Sequence, residues 1–140
     1  MKHKISTSWK GDMVFEADMA GHKLVMDAPP EAGGKNKGTR PKPLMIASLA
    51  GCTGMDVLSI LKKMRVEIDE FNLHIEGDLT EELPKHYTKM HIVYEFSGPD
   101  LPMDKLEKAV KLSKEKYCGV SHVYGQVMEI TSEIRIKHKN

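Results

Sequence analysis

The chain has 140 residues, 40% of them apolar, and its 21 lysines and arginines almost balance its 20 aspartates and glutamates, giving a formal charge of +1. This length suits one globular domain, residues 1–140, long enough to bury a core and short enough that a homodimer interface could supply part of it. Without a large basic excess the chain is not expected to bind nucleic acid.

The N-terminal part of the chain predicts a small antiparallel sheet. Residues 6–10, 13–18 and 23–27 mix polar and apolar side chains, and Gly-Asp at 11–12 and Gly-His at 21–22 separate them. Such dipeptides are typical of tight turns, so the three segments form a meander. The next residues, 28–42, are rich in glycine, proline and lysine and predict a mobile loop.

A long apolar run predicts a central helix from about residue 41 to about residue 65. Pro41 suits its first turn, and the cations at positions 62, 63 and 65 suit its last turn. The run from 43 to 61 also has about the length of a bilayer span. It carries Asp56 and there is no second such run, so a helix of a globular core is favoured.

The remaining sequence predicts two strands, a helix and a last strand. Alternation of apolar and polar residues places strands around 71–75 and 90–96 and over 126–137. Helical spacing of apolar residues predicts an amphipathic helix over 102–117, which Gly119 is expected to end. Three strands, a helix, two strands, a helix and a strand, without regular alternation, predict an α+β fold.

The chain has two cysteines, Cys52 and Cys118, and they do not form a CxxC pair. This pattern excludes a disulfide-rich scaffold and a zinc ribbon. The N-terminus lacks the apolar core of a secretory signal, so a cytoplasmic location is expected. In a reducing compartment two such thiols are either inert core residues or redox-active groups.

Cys52 lies in the segment SLAGCTGMD of the central helix, between Gly51 and Gly54. A glycine in a helix interior costs on the order of 1 kcal/mol relative to alanine, so another element or a substrate is expected to approach the backbone there. The residues alone leave two interpretations open. Cys52 is a small buried hydrophobe in a packing groove, or it is a nucleophilic thiolate with Cys118 as resolving thiol.

Three stretches carry a family resemblance: GTRPKPLMIASLAGCTGMDVLSILKKMR, KHYTKMHIVYEFSG and LSKEKYCGVSH. In this order they resemble the OsmC/Ohr family of hydroperoxide-reducing proteins, and most of all the branch with a C-terminal EKYC-x-V signature. The resemblance covers nearly the whole chain.

The resemblance implies an α+β fold in which two chains intertwine as a homodimer, with the long helix central and each active site at the subunit interface. It implies that Cys52 is the peroxidatic cysteine, that Cys118 resolves it, and that a dithiol reduces the resulting disulfide. The implied substrate is an organic hydroperoxide. Neither a metal nor an organic cofactor is implied, nor is a membrane partner.

The chain departs from the family pattern around its expected cation. Family peroxidases hold the thiolate with an arginine and a glutamate, and Lys42 and Pro43 occupy the positions of that glutamate here. The N-terminal strands contain no arginine. Arg40 is therefore the predicted activating cation, since its planar charge can pair with a thiolate or an oxyanion, and Lys42 is the substitute. A solvated arginine of an ordinary surface loop is the alternative interpretation of Arg40.

Helix periodicity further predicts an apolar substrate pocket lined by Met45, Leu49 and Met55, which favours alkyl hydroperoxides over hydrogen peroxide. The missing glutamate supports an alternative hypothesis, a non-catalytic protein of the same fold that binds a small ligand or senses redox state.

Three further side chains near the cysteines have predicted roles. Asp56, four residues after Cys52, is expected to be a buried partner of a backbone or lysine group, or to hydrogen-bond at an interface. His122 is expected to be exposed rather than a base or metal ligand, and Tyr117 is expected to pack.

Overall fold

The computed structural model of the protein describes residues 1–138 and has a mixed α+β fold, as predicted. It has two compact units, residues 1–45 and residues from 46 onward. The elements in chain order are β1 (Ser6–Trp9), β2 (Phe15–Met19), β3 (His22–Met26), α1 (Pro43–Lys63), β4 (Glu70–Leu79), β5 (Tyr87–Ser97), α2 (Met103–Leu112), α3 (Gly119–Tyr124) and β6 (Glu129–Ile136).

The first unit contains the predicted meander, an antiparallel sheet of order β1-β2-β3. The second hairpin closes one residue earlier than predicted. Met19 pairs with His22, and the turn residues Ala20 and Gly21 both have positive φ, 54° and 86°. Positive φ at both central residues is the requirement of a type I′ turn, whose twist matches that of the flanking strands.

The loop after β3 is organised by one buried carboxylate. Asp27 is only 3% exposed, and its two oxygens accept backbone N–H groups of Ala28 at 2.7 Å, Lys35 at 3.1 Å and Lys37 at 3.0 Å. These bonds, that of Lys37 first, hold the pKa of Asp27 below its usual value. The loop predicted to be mobile thus has a defined backbone in the structure, because the carboxylate holds residues 28–37 in a folded turn.

Two glycines allow this loop to close. A Cβ atom at Gly34 would stand 1.9 Å from the carbonyl oxygen of Ala28, and one at Gly38 would stand 2.3 Å from that of Val25. Real Cβ atoms do not come so near a backbone oxygen, so only glycine fits at either position. The glycines that indicated flexibility in the sequence therefore serve a close backbone approach.

The second unit is built around the sheet β4-β5-β6, in which β5 pairs antiparallel with β4 and parallel with β6. The central strand β5 contributes Met90, Tyr94 and Phe96 to the core. The core also contains side chains of both long helices: Leu49, Val57 and Leu61 of α1, and Leu106, Ala109 and Val110 of α2.

The second helix ends before Cys118, as predicted, but through a π-turn that leads into a further helix. After α2 the chain makes a single turn of π-helix over Ser113–Tyr117, closed by the Cys118 N–H donating to the Ser113 carbonyl oxygen at 2.8 Å. Cys118 is extended, with φ −76° and ψ 101°, and Gly119 begins α3 instead of ending a helix. The reason is that Cys118 caps the new helix, because its sulfur accepts the Ser121 N–H at 3.3 Å.

The two glycines of α1 have different surroundings. A Cβ atom at Gly54 would stand 3.0 Å from Cδ1 of Leu73 on β4, so the expected close approach exists there. Gly51 lies on the exposed side of the helix and has nothing near its Cβ position. On that side Met55 is 74% and Leu58 46% exposed.

Among residues 1–138, α1 is the one helix long and apolar enough to cross a membrane by length and composition, and 28% of that stretch is buried within the chain. A core helix of a soluble protein has the same composition, so this match is weak evidence for a span. The low burial means that α1 has an apolar face which the single chain does not cover.

We predict that Asp27→Asn loosens the loop, because an amide offers one acceptor oxygen where the carboxylate serves three N–H donors. Hydrogen exchange of the Lys35 and Lys37 amides should become faster and the melting temperature should fall. The folded pKa lies below the usual value of about 3.9. The wild type should therefore exceed the variant in stability by the full amount at neutral pH, and this difference should shrink as the pH falls below the usual aspartate pKa.

The matched control is Glu31→Gln, which removes an exposed carboxylate from the same loop. It should leave both amides protected. Equal exchange in the two variants would show that the Asp27 hydrogen bonds do not hold the loop.

Candidate thiol site

The two cysteines, 66 positions apart in sequence, meet in the second unit. Cys52 is half-buried on α1, and Cys118 is buried between the π-turn and α3. Their sulfur atoms and a carboxylate oxygen of Asp56 all lie within 4.8 Å of one another. Asp56 joins the pair because it follows Cys52 by one helical turn. The structure thus brings together the two residues that the sequence assigned to one site.

Cys118 is held as a thiol by its surroundings. Burial raises its pKa, and the neighbouring Cys52 raises it further, while hydrogen bonds from Ser121 act in the opposite direction. The residue is 2% exposed. Since the thiolate is the nucleophile, a buried thiol of raised pKa is a poor first attacking group. Cys52, which is partly open to solvent, is the better placed of the two.

A chain of hydroxyl groups connects the sheet to Asp56. The Tyr94 hydroxyl lies 2.9 Å from Oγ1 of Thr53, which lies 3.0 Å from Oγ of Ser113, and Ser113 donates to Oδ2 of Asp56 at 3.1 Å. A carboxylate only accepts hydrogen bonds, so the Ser113 hydroxyl is the donor to Asp56. Ser113 therefore accepts from Thr53, and Thr53 from Tyr94. The observed partner of Asp56 is a serine hydroxyl, not the backbone or lysine group expected.

Burial raises the pKa of Tyr94, and electrostatic interactions with Cys118 and Asp56 raise it further, although the Thr53 hydrogen bond lowers it. The phenol stays protonated at neutral pH, as its place at the donor end of the chain requires. Thr53, Tyr94 and Ser113 were missed from the sequence. Of these three, only Thr53 could have been found from the sequence, because it follows Cys52 directly and lies three residues before Asp56 on the same helix.

Asp56 also lines an open cleft of about 310 Å³, together with Lys63 of α1 and Tyr117 of the π-turn. Tyr117 is 53% exposed, and the Lys116 ammonium stands 5.2 Å from its ring centre. The prediction that Tyr117 packs is therefore wrong, because the π-turn directs this residue to the surface. His122 is exposed, as expected.

The predicted pocket residues do not have similar surroundings. Leu49 is fully buried in the core, so it is a packing residue of the single chain rather than part of an open pocket. Met45 and Met55 are exposed. Their contact with a substrate stays a prediction.

Arg40 belongs to the first unit, where its guanidinium donates to Oδ1 of Asn36 at 3.0 Å and to the Gly38 carbonyl oxygen at 3.1 Å. It lines an apolar cavity of about 570 Å³, which the sequence did not predict. The cavity is formed by Thr7, Met13, Phe15, Met26, Asp27, Ala28, Pro29, Arg40 and Pro41. The assignment of Arg40, or of Lys42, as activating cation stays a prediction.

Comparison with known families decides the relationship. The model of the OsmC-like protein family matches residues 34–133, which include α1, both cysteines and most of the second sheet. The chain belongs to the OsmC-like family. The matched range contains every residue of the thiol site.

Relatives of this OsmC-like protein are found among sequences and solved structures. Protein YhfA of Escherichia coli K12 is 28% identical over 129 residues, covering 91% of this chain and 93% of that protein. A hypothetical protein of Aquifex aeolicus VF5 is 27% identical, with a TM-score of 0.87 and coverage of 100% and 99% of the two chains.

The organic hydroperoxide resistance protein OhrB of Bacillus subtilis has a TM-score of 0.65 at 19% identity, covering 98% of each chain. At that identity the likeness establishes a shared fold.

We predict that Thr53→Val destabilises the protein by about 1–3 kcal/mol, because it leaves the Tyr94 and Ser113 hydroxyls buried with a lost partner. Valine preserves the shape of the side chain, so the fall in the free energy of unfolding measures the contribution of the hydrogen bonds. Urea unfolding measures the difference. The control Thr88→Val, at an exposed threonine of β5, should change stability by no more than about 0.5 kcal/mol. Equal effects would refute the importance of the hydroxyl chain.

Proposed function

We propose that this OsmC-like protein is a thiol-dependent peroxidase that reduces organic hydroperoxides through Cys52 and Cys118. The observation that carries the proposal is the pair of thiols within 4.8 Å, one partly open to solvent and one buried with a raised pKa. Partial exposure lets a hydroperoxide reach Cys52, and the short distance between the sulfurs lets Cys118 attack the oxidised Cys52. A site that works through free thiols belongs in a reducing compartment, so the proposed location is cytoplasmic.

The proposed reaction has three steps. The Cys52 thiolate attacks the terminal oxygen of the hydroperoxide, the O–O bond breaks, and the leaving alkoxide takes a proton to become an alcohol. Cys52 is then a sulfenic acid, and the Cys118 sulfur displaces water from it to form a disulfide. A dithiol reductant restores both thiols and is itself oxidised. No further electron donor is needed.

The remaining parts of the proposal are the cation and the substrate contacts. Arg40 is proposed to stabilise the Cys52 thiolate or the leaving oxygen, since guanidinium is always charged. Met45 and Met55, both exposed, are proposed to contact the alkyl group. The Bacillus subtilis neighbour is named an organic hydroperoxide resistance protein, and it supports the proposed substrate class only through its shared fold.

The protein is also proposed to be an intertwined homodimer. In support, α1 presents exposed apolar side chains at Met55 and Leu58, and the first sheet exposes Trp9 and Phe15. A small domain that leaves this much apolar surface open gains stability when a second copy covers it.

The first test is a free-thiol count after reduced protein meets one equivalent of cumene hydroperoxide. Both thiols should disappear rapidly in the wild type and return with a dithiol. Cys52→Ser should keep its remaining thiol, whereas Cys118→Ser should lose one thiol and yield a sulfenic acid that a dimedone probe traps. Hydrogen peroxide should react more slowly if the site prefers alkyl groups.

In the same assay Arg40→Gln should slow the oxidation of Cys52 by at least tenfold, and Arg135→Gln, at an exposed arginine of β6, should not. Survival of both wild-type thiols for many minutes would contradict the peroxidase proposal. It would favour a second function, small-ligand binding in the apolar cavity beside Arg40, whose volume and lining suit a small apolar molecule.

We predict that the double variant Met55→Lys, Leu58→Lys is monomeric, because each lysine places a charge in the apolar face of α1. Light scattering after size exclusion should give twice the chain mass for the wild type and one chain mass for the variant. Leu83→Lys changes an equally apolar, exposed residue outside α1 and should remain dimeric. A monomeric wild type would rule the dimer out.

A further inference from the structure

We propose that the reduced protein binds a soft divalent cation such as Zn²⁺ with Cys52, Cys118 and Asp56 as ligands, and that the bound metal protects both thiols. The inference concerns the site of the proposed peroxidase but needs only reduced thiols, not hydroperoxide chemistry. The metal is a competitor of oxidation here, not a cofactor of it.

The ligand atoms already stand near the separations that zinc requires. Tetrahedral Zn²⁺ has bonds of about 2.3 Å to sulfur and about 2.0–2.2 Å to carboxylate oxygen, which places neighbouring ligand atoms about 3.5–3.8 Å apart. The two sulfurs and a carboxylate oxygen of Asp56 lie within 4.8 Å of one another. The three ligand atoms therefore need to close by at most about 1.0–1.3 Å to reach these separations.

Two of the three ligands, Asp56 and Cys118, accept a hydrogen bond of the kind that orients ligands in metal sites. Ser113 donates to Oδ2 of Asp56, which fixes the direction of the carboxylate. The Ser121 N–H donates to the Cys118 sulfur, a contact that stabilises a coordinated thiolate. Such contacts orient ligands, and removing one commonly costs about 10–100-fold in metal affinity.

The site has a route to solvent. Asp56 lines the open cleft of about 310 Å³ and Cys52 is half-buried, so an ion can reach these two ligands and keep a water as fourth ligand. Two thiolates and one carboxylate carry three negative charges, and a divalent ion leaves one. Lys63 lines the same cleft and brings a positive charge to it.

Binding involves proton release and no electron transfer. Two thiols give up two protons to the solvent as Zn²⁺ takes their sulfurs, so binding strengthens as the pH rises. A Cys52–Cys118 disulfide offers no thiolate and cannot hold the ion. Metal binding and oxidation are therefore mutually exclusive states of one pair of sulfurs.

The test is an anaerobic titration of reduced protein with Co²⁺, whose near-ultraviolet charge-transfer band reports thiolate ligands and whose visible bands report tetrahedral geometry. The expected result is one Co²⁺ per chain, displaced by one equivalent of Zn²⁺. Asp56→Asn and Cys118→Ser should each weaken binding at least tenfold. His122→Asn, which removes the histidine nearest to Cys118 in sequence, should bind as the wild type does.

Protection of the thiols is measured separately, with N-ethylmaleimide and no peroxide. Zn²⁺ should slow labelling of both cysteines, and a chelator should restore it. Wild-type protein oxidised with diamide should bind no Co²⁺, which tests the thiols without any substitution. Absence of the charge-transfer band in the wild type, undiminished binding by a folded Asp56→Asn variant, or loss of binding in His122→Asn would each overturn the proposal.

Discussion

A buried chain of hydroxyls running from Tyr94 through Thr53 and Ser113 to Asp56 connects the three elements on which the thiol site depends. Tyr94 belongs to the central strand, Thr53 and Asp56 to α1, and Ser113 to the turn that follows α2. Because each group except the carboxylate donates to the next, the chain has one direction, and each buried oxygen has a partner. Loss of one member affects both of its neighbours.

The π-turn positions Cys118 within this arrangement. Its first residue, Ser113, holds Asp56 by its side chain and accepts the Cys118 N–H by its carbonyl oxygen. One serine therefore positions the carboxylate and the second cysteine together. The extended backbone of Cys118 then begins α3, where Ser121 bonds its sulfur. Two sulfurs from distant parts of the chain thus meet beside α1, while Met55 and Leu58 of the same helix stay exposed.

Much of the fold could be predicted from residue patterns. The long α1 was placed within two residues at each end, because an apolar run bounded by a proline and lysines has few other structures. The meander, β4, β5 and β6 followed from period-two alternation and turn residues. The extra helix α3 was missed because Gly119 after an amphipathic run is the usual sign of a helix end. The start of α3 depends on the Cys118 sulfur, which caps the new helix.

The site was predictable only in part. Its two cysteines were identified, since thiols are few and the family resemblance pairs them. The hydroxyl partners were not, because Ser113 and Tyr94 are distant from Cys52 in sequence and neither residue type marks a site by itself. Leu49 shows the opposite error. Helix periodicity places a residue on a face, but it does not tell whether that face lies over the core or over a substrate.

The measurement that tests the proposed thiol chemistry most directly is peptide mapping of protein oxidised by one equivalent of cumene hydroperoxide, combined with a denaturing gel run without reductant. Since Cys52 and Cys118 of one chain lie side by side, we expect one disulfide between them within a single chain and migration as one chain. A disulfide between two chains, or oxidation of Cys52 to sulfinic acid with Cys118 unchanged, would contradict the proposed mechanism.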